Sequence, residues 1–381
     1  MKLMIIHPLP SRKNARADQI AKYLYKLGHE VHLILWNVPY PTSLFFKNLF
    51  SSWKYKKYIQ EGVIIHKIRR LPFFFPAINK PWFQNQIKNI FHENNIDLIL
   101  SESYIKETCP PFDLPFVYDL MDEHEAYAEI YGSFLYKKAF KILQVHKTVE
   151  NQIKKAKAVI VVSNLLKKYA KNYNKKVYKI PNGVESWVLK NKFKKKKYNF
   201  GNHSLVYVSG FDYWSQLPQL IHVIAEVKKD IPEIKLILVG DGYQIPEGKK
   251  IVKALKLEKN VIFFGQVDDR KKLFEIINSC NVCLNLSEKN KRQDSASPVK
   301  VFEYSALGKP IISTKLKEVE NLNFSNIIFY EEGNNKYLID AIKKSFKKKV
   351  NKNKIKKFVS RYTWENISKR FEKIIKNSKE K

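Results

Sequence analysis

Two runs of short apolar segments alternating with helical ones, one on each side of a lysine-rich stretch, constrain this chain most. Lys2 to His7 is apolar and leads into the loop Pro8 to Asn14. A helical pattern then carries Ile20, Leu24 and Leu27 and stops at Gly28, and His29 to Trp36 forms the next strand. A strand–loop–helix–strand order of this kind opens a parallel α/β sheet, which binds ligands at the carboxyl ends of its strands. The first loop has no glycine and is therefore not a dinucleotide fingerprint. More strands are predicted at Val63–Ile68, Asp97–Leu100, Phe116–Tyr118, Ala158–Val162 and Val177–Ile180. Four successive lysines after Phe193 break the periodicity and read as an interdomain linker.

The alternation restarts beyond it. Strands are predicted at Leu205–Ser209, Lys235–Val239, Val261–Phe264, Val282–Leu286, Pro310–Ser313 and Asn326–Phe329. Helices are predicted at Gln219–Lys228, Gly248–Leu255, Lys271–Ile277 and Pro298–Leu307. A chain of 381 residues accommodates two such domains, each with its own core. Several strands of the second half end at glycine: Gly210, Gly240-Asp241-Gly242 and Gly265. Glycine there lets a backbone approach a ligand, or simply serves a turn. Near the C-terminus, Trp364, Ile367, Phe371 and Ile375 mark an amphipathic helix.

The stretch Asp294–Thr314 carries the densest signals. Ser297 suits an N-cap, Pro298 the first helical position, and Gly308 with Pro310 the stop. Lys300 falls in the first turn, where the helix dipole favours an anion. A cation there makes sense if an external anion docks on the free N–H groups. Lys300, Glu303 and Tyr304 share one helix face. A surface helix with a solvated Lys and Glu fits the same letters.

Charge bounds the partners. Lys and Arg number 70 against 36 Asp and Glu, a net charge of +34, which suits nucleic acid, an anionic membrane or phosphorylated substrates. No apolar run is long enough to span a bilayer and the N-terminus lacks a signal-peptide core, so a cytoplasmic protein is expected. Cys280 and Cys283 form a C-x-x-C without a second pair or a nearby His, inside apolar text that reads as a buried strand.

In their order and spacing, six short motifs resemble the retaining glycosyltransferases of family 4. They are Gly-His-Glu-Val at Gly28–Val31, Ala158–Ser163, Ile-Pro-Asn-Gly-Val-Glu at Ile180–Glu185, Leu-Val-Gly-Asp-Gly at Leu238–Gly242, Phe-Phe-Gly-Gln-Val at Phe263–Val267 and Ser297–Tyr304. Tyr362–Glu365 resembles the family's closing helix. The resemblance implies the GT-B fold, two facing Rossmann-like domains with a cleft between them. Residues 1–185, joined by a helix at about 362–381, would form the acceptor side, and 186–361 the nucleotide-sugar side. It implies transfer of a sugar from a UDP- or GDP-sugar with retention, no metal or other cofactor, and a glycan or lipid-linked acceptor in cell-surface polysaccharide or glycolipid synthesis.

The same resemblance supplies site residues. Glu303 matches the second Glu of the family's Glu-x7-Glu pattern, a ribose contact, while the first falls on Ser295 beside Asp294. The helix tip, Pro298, Val299 and Lys300, would take the diphosphate, with Arg292 as a second cation. Gly210, Gly240, Gly242, Gln266 and Val267 complete the donor side. The family's Arg and Lys fall near Gly210 and Ser215 and are missing here. Its usual His falls on Met121, leaving Asp122 or His124 nearby, with Asp122 the better placed. Catalysis is thus expected from Asp122, Lys300 and Glu303.

Aromatic and basic residues interleave at Leu44–Phe50, Trp53–Tyr58 and Arg69–Phe75. They suit a protein resting on the anionic inner face of a membrane, or a domain core. Basic stripes with aromatics also describe nucleic-acid binders. The sequence contains no known RNA or DNA module and its charge is spread throughout, which argues against that class. A degenerate sugar-nucleotide binder without transfer is a third reading.

Overall fold

Strand β1 (Lys2–His7) buries both faces: Leu3 and Ile5 join one apolar cluster, Met4 and Ile6 another. Such two-sided burial is what a central parallel strand needs. The computed structural model describes residues 1–7, 16–36, 55–69, 76–123, 145–190, 193 and 197–379. The loop Pro8 to Asn14, the aromatic stretches at 44–54 and 70–75, His124 and the lysines at 194–196 lie outside the described residues.

The chain divides into two units, Met1–Pro181 with Trp364–Lys381, and Asn182–Thr363. The boundary falls before Glu185 because Glu185 ion-pairs with Arg270, and Val184 bridges to Thr363 in the second unit. The closing helix, Trp364–Lys379, buries Trp364, Ile367, Phe371 and Ile375 in the first unit's core.

In the first unit β1 is joined by β2 (Glu30–Trp36), β3 (Lys56–Gln60), β4 (Val63–Ile68), β5 (Leu98–Ser101), β6 (Phe116–Leu120), β7 (Ala158–Val161) and β8 (Val177–Lys179). The sheet order is β3-β4-β2-β1-β5-β6-β7-β8. All pairings are parallel except β3 with β4, so β3 is an antiparallel edge. Strand β3 was not expected from the sequence: all five of its residues are exposed, so no buried face imposes alternation.

The second unit holds β9 (Ser204–Val208), β10 (Lys235–Val239), β11 (Val261–Gly265), β12 (Val282–Asn285), β13 (Ile311–Thr314) and β14 (Ile327–Tyr330), ordered β11-β10-β9-β12-β13-β14 and parallel throughout. Cys280 and Cys283 are free thiols buried at β12, as the apolar text suggests. Among the described residues no helix is long and apolar enough to cross a membrane.

Candidate functional site

The helix Val299–Ala306 starts one residue later than Ser297 as N-cap would place it. Pro298 is the N-cap, and no side chain caps the first turn. The Ser297 hydroxyl instead accepts from the Asn182 amide N–H at 3.0 Å, and its carbonyl accepts from Asn182 Nδ2 at 2.7 Å. The helix ends as expected at Gly308, with Lys309 N–H donating to the Tyr304 carbonyl and Gly308 N–H to that of Ser305.

Lys300 is half-buried, and its Nζ stands 5.0 Å from the centre of the Tyr207 ring. Tyr207 is locked beneath it, donating to the carbonyls of Leu286 at 2.7 Å and Ser215 at 3.0 Å. Burial lowers the Lys300 amine to about 8, and the Glu303 charge only partly opposes this. An ammonium so desolvated gains from any anion that reaches it.

Glu303 is not a bare carboxylate awaiting a ribose. Its Oε1 lies 2.5 Å from Arg270 Nη2, and Arg270 Nε is 3.4 Å from Glu185 Oε2. Burial works against the Arg270 charge, but Glu303 and then Glu185 outweigh it and raise the guanidinium further. Arg270 also stacks on Phe274, 4.8 Å from the ring centre. Sequence reasoning missed this arginine. Its signal was the one that marked Lys300: a cation at the first position of a helix, here Arg270–Ser279, capped by Asp269. Glu185 was visible only as the last letter of a motif.

Three expected donor residues are occupied structurally. Asp294 Oδ1 accepts from the Lys317 N–H at 3.0 Å and so caps the neighbouring helix, Lys317–Asn321. Ser295 is buried and donates to the Arg292 carbonyl at 2.9 Å, closing its own turn. Arg292 lies over the Trp214 ring at 5.0 Å. Gln266 is exposed and bonded to Asp268 at 2.9 Å, and Val267 packs on the core.

The glycines serve backbone crossing. A Cβ on Gly240 would stand 1.9 Å from the Ser209 carbonyl oxygen, and one on Gly242 2.0 Å from that of Gly210. Only glycine fits there, with φ of +129° and +155°. Gly210 is exposed. Ser215, where relatives are expected to carry a cation, is fully buried and hydrogen-bonded to Gln244 Oε1 at 2.5 Å.

The first unit has its own charged cluster at the carboxyl ends of three adjacent strands. His7 Nδ1 meets Glu102 Oε2 at 2.8 Å, and Arg16 Nε meets Asp119 Oδ2 at 2.8 Å. Burial raises the Asp119 carboxyl to about 6 although Arg16 opposes it, and Glu102 adds to the rise. Asp122 lines a small cavity with Glu123, His146 and Tyr169 just beyond β6. Among the described residues no group of three or more His, Cys, Asp or Glu is placed to hold a metal ion.

Comparison with known proteins fits this architecture. Residues 14–186 match the family described as Glycosyltransferase Family 4, and residues 202–348 match Glycosyl transferases group 1. The chain is 27% identical over 124 residues to N-acetyl-alpha-D-glucosaminyl L-malate synthase of Bacillus anthracis, a match spanning 32% of this chain and 30% of that protein. Its fold is similar to Anabaena HepE in complex with UDP (TM-score 0.69, 15% identity, 99% of this chain and 100% of that one). It is similar also to a glycosyltransferase from Rickettsia africae (TM-score 0.65, 16% identity, 99% and 98%). The likeness to these structures is one of fold.

Proposed function

The chain belongs to glycosyltransferase family 4, glycosyl transferases group 1, and we propose that it moves a sugar from a UDP- or GDP-sugar to a glycan or lipid-linked acceptor. The observation that carries this is Lys300: a desolvated amine at an uncapped helix tip, one turn from Glu303. Bond breaking places charge on the departing diphosphate, and stabilising that charge is the largest help such a site can give. The N–H groups of Val299 and Lys300 and the Lys300 ammonium would supply it without a metal. Glu303 would bind the ribose hydroxyls, with Glu185 taking Arg270 when Glu303 turns to the ligand.

Retention is proposed from family membership. It would arise by same-face attack, with the leaving phosphate accepting the acceptor proton. Asp122, beyond the carboxyl end of β6, is proposed to contact the acceptor. Neighbours solved with UDP, such as HepE, support a uridine donor over a guanosine one. A role in polysaccharide or glycolipid synthesis follows from the acceptor class. Thermal-shift measurements with UDP, GDP, ADP and their common sugar conjugates test the donor. A single responding base, followed by NMR of the product anomer, supports the proposal, whereas no response to any nucleotide sugar would overturn it.

A further inference from the structure

A hydrogen-bonded chain at the edge of the first unit's sheet plays no part in the chemistry above. Glu30 Oε1 meets His32 Nε2 at 2.9 Å, His32 Nδ1 meets His66 Nε2 at 2.9 Å, and His66 Nδ1 meets the Tyr55 hydroxyl at 2.7 Å. The two imidazoles are stacked and have 0% and 1% exposure. Burial lowers both, His66 to about 3, so at neutral pH each ring carries one N–H.

That fixes the direction of every bond. The Glu30 carboxylate only accepts, so His32 donates from Nε2 and must accept at Nδ1. His66 therefore donates from Nε2 and accepts at Nδ1, leaving Tyr55 as the donor. With its one proton committed to His66, the Tyr55 oxygen offers only lone pairs to any further partner.

Tyr55 is part of the lining of a cavity of about 460 Å³. Trp82, Asn85, Asn89 and Glu93 line it from one face of the helix Pro76–Glu93, at spacings of three and four residues. Arg69 closes it, its backbone held by both polar atoms of Gln86 at 3.0 and 3.1 Å. Tyr55 and Arg69 flank β3 and β4 at the carboxyl end of β4, the end at which α/β sheets bind ligands.

The wall thus presents an indole, two primary amides, a guanidinium, a carboxylate and a phenol oxygen able only to accept. Arg69 and Glu93 cancel, so the cavity offers no net charge to a phosphate. A sugar ring has an apolar C–H face for the indole and hydroxyl groups that donate to the phenol and carboxylate and accept from the amides.

We propose that this cavity is a carbohydrate subsite that holds one sugar unit of a glycan acceptor. The proposal rests on the transferase reading, and its test separates the two. The full chain is measured on an array of immobilised gluco-, galacto-, manno- and N-acetylglucosamine oligosaccharides, with UDP-sugar thermal shifts recorded in parallel.

Binding of at least one oligosaccharide is expected. Trp82→Ala and Asn89→Ala should each weaken it about tenfold while leaving the UDP-sugar shift unchanged. Both side chains are exposed, so neither change threatens the fold. Tyr55→Phe should do the same, but it also leaves His66 without its donor. The two helix variants therefore decide. UDP-sugar binding without any glycan binding, or glycan binding indifferent to Trp82 and Asn89, overturns the subsite alone. Loss of phosphatidylglycerol-vesicle binding in these variants in place of glycan binding overturns it as well. No response to either ligand overturns the transferase reading with it.

Discussion

Each unit contains an arginine–carboxylate pair near the carboxyl ends of its strands, and the two are closed to very different degrees. In the first, Arg16 and Asp119 have side chains 3% and 0% exposed. The guanidinium also donates to the carbonyls of Ile180 and Pro181 and lies on the Phe371 ring, 5.1 Å from its centre. In the second, Arg270 is 24% exposed and shared by two acids, Glu303 at 8% and Glu185 at 11%. A guanidinium saturated by protein groups holds elements together: Arg16 ties the first helix to β6 and to the end of the sheet. One shared by two competing acids can release either of them to a ligand at small cost.

The sharpest break of this comparison is truncation of each acid. Asp119→Ala removes the carboxylate that faces the buried Arg16 guanidinium, and should destabilise the first unit by about 3–5 kcal/mol, read as a fall in the urea midpoint. Glu303→Ala leaves Arg270 with Glu185, and should cost only about 1 kcal/mol of stability. Its effect should appear in turnover, with kcat/KM for the donor falling about a hundredfold or more. Equal losses of stability in the two variants would remove the distinction between a closed and an open pair.

The difference also explains what the sequence disclosed. Both sheets were legible because parallel strands buried on two faces are largely apolar: β10 has its predicted bounds, and so has β4 although His66 and Lys67 interrupt its apolar run. The edge strand β3 was hidden, since it buries no face and reads as basic loop. At the site, Lys300 was legible because it contradicts its helix position. Arg270 contradicts its own in the same way, but its partners, Glu185 and Glu303, lie 85 and 33 residues away and only folding brings them together. Asp294 and Ser295 matched a motif by position, yet their hydrogen bonds go to Lys317 and Arg292. Gly240 and Gly242 looked like ligand contacts because a backbone crossing and a ligand approach demand the same residue.

Lys300 sharpens the comparison further, being a half-buried cation of the second unit that rests on an aromatic ring and forms no ion pair among the described residues. Lys300→Ala should lower kcat about 10–100-fold and change ground-state nucleotide affinity less, because the opposing charge grows as the diphosphate departs. An unchanged kcat would assign the work to the Val299 and Lys300 amides or to Arg292.

The smallest effect is the most diagnostic, because its sign is fixed. The folded-state pKa of Lys300 is lowered to about 8 from an ordinary 10.5, so the amine is charged below about 8 and neutral above it. The stability this depression gives is fully present above the unfolded value and is lost as pH falls through about 8. At pH 7 the ligand-free protein therefore holds a charge it would be more stable without. Lys300→Met should raise its Tm at pH 7, and the advantage should vanish towards pH 10. UDP affinity should move oppositely, falling in the wild type as pH rises above 8 and staying flat over that range in Lys300→Met. A wild-type UDP affinity that is level from pH 7 to 10 would mean that the ammonium does not meet the diphosphate, and the helix tip would lose its proposed role. Asp119 has the opposite bias, a carboxyl raised to about 6 in a pair already saturated by protein groups. Its protonation should therefore alter stability and leave nucleotide affinity unmoved.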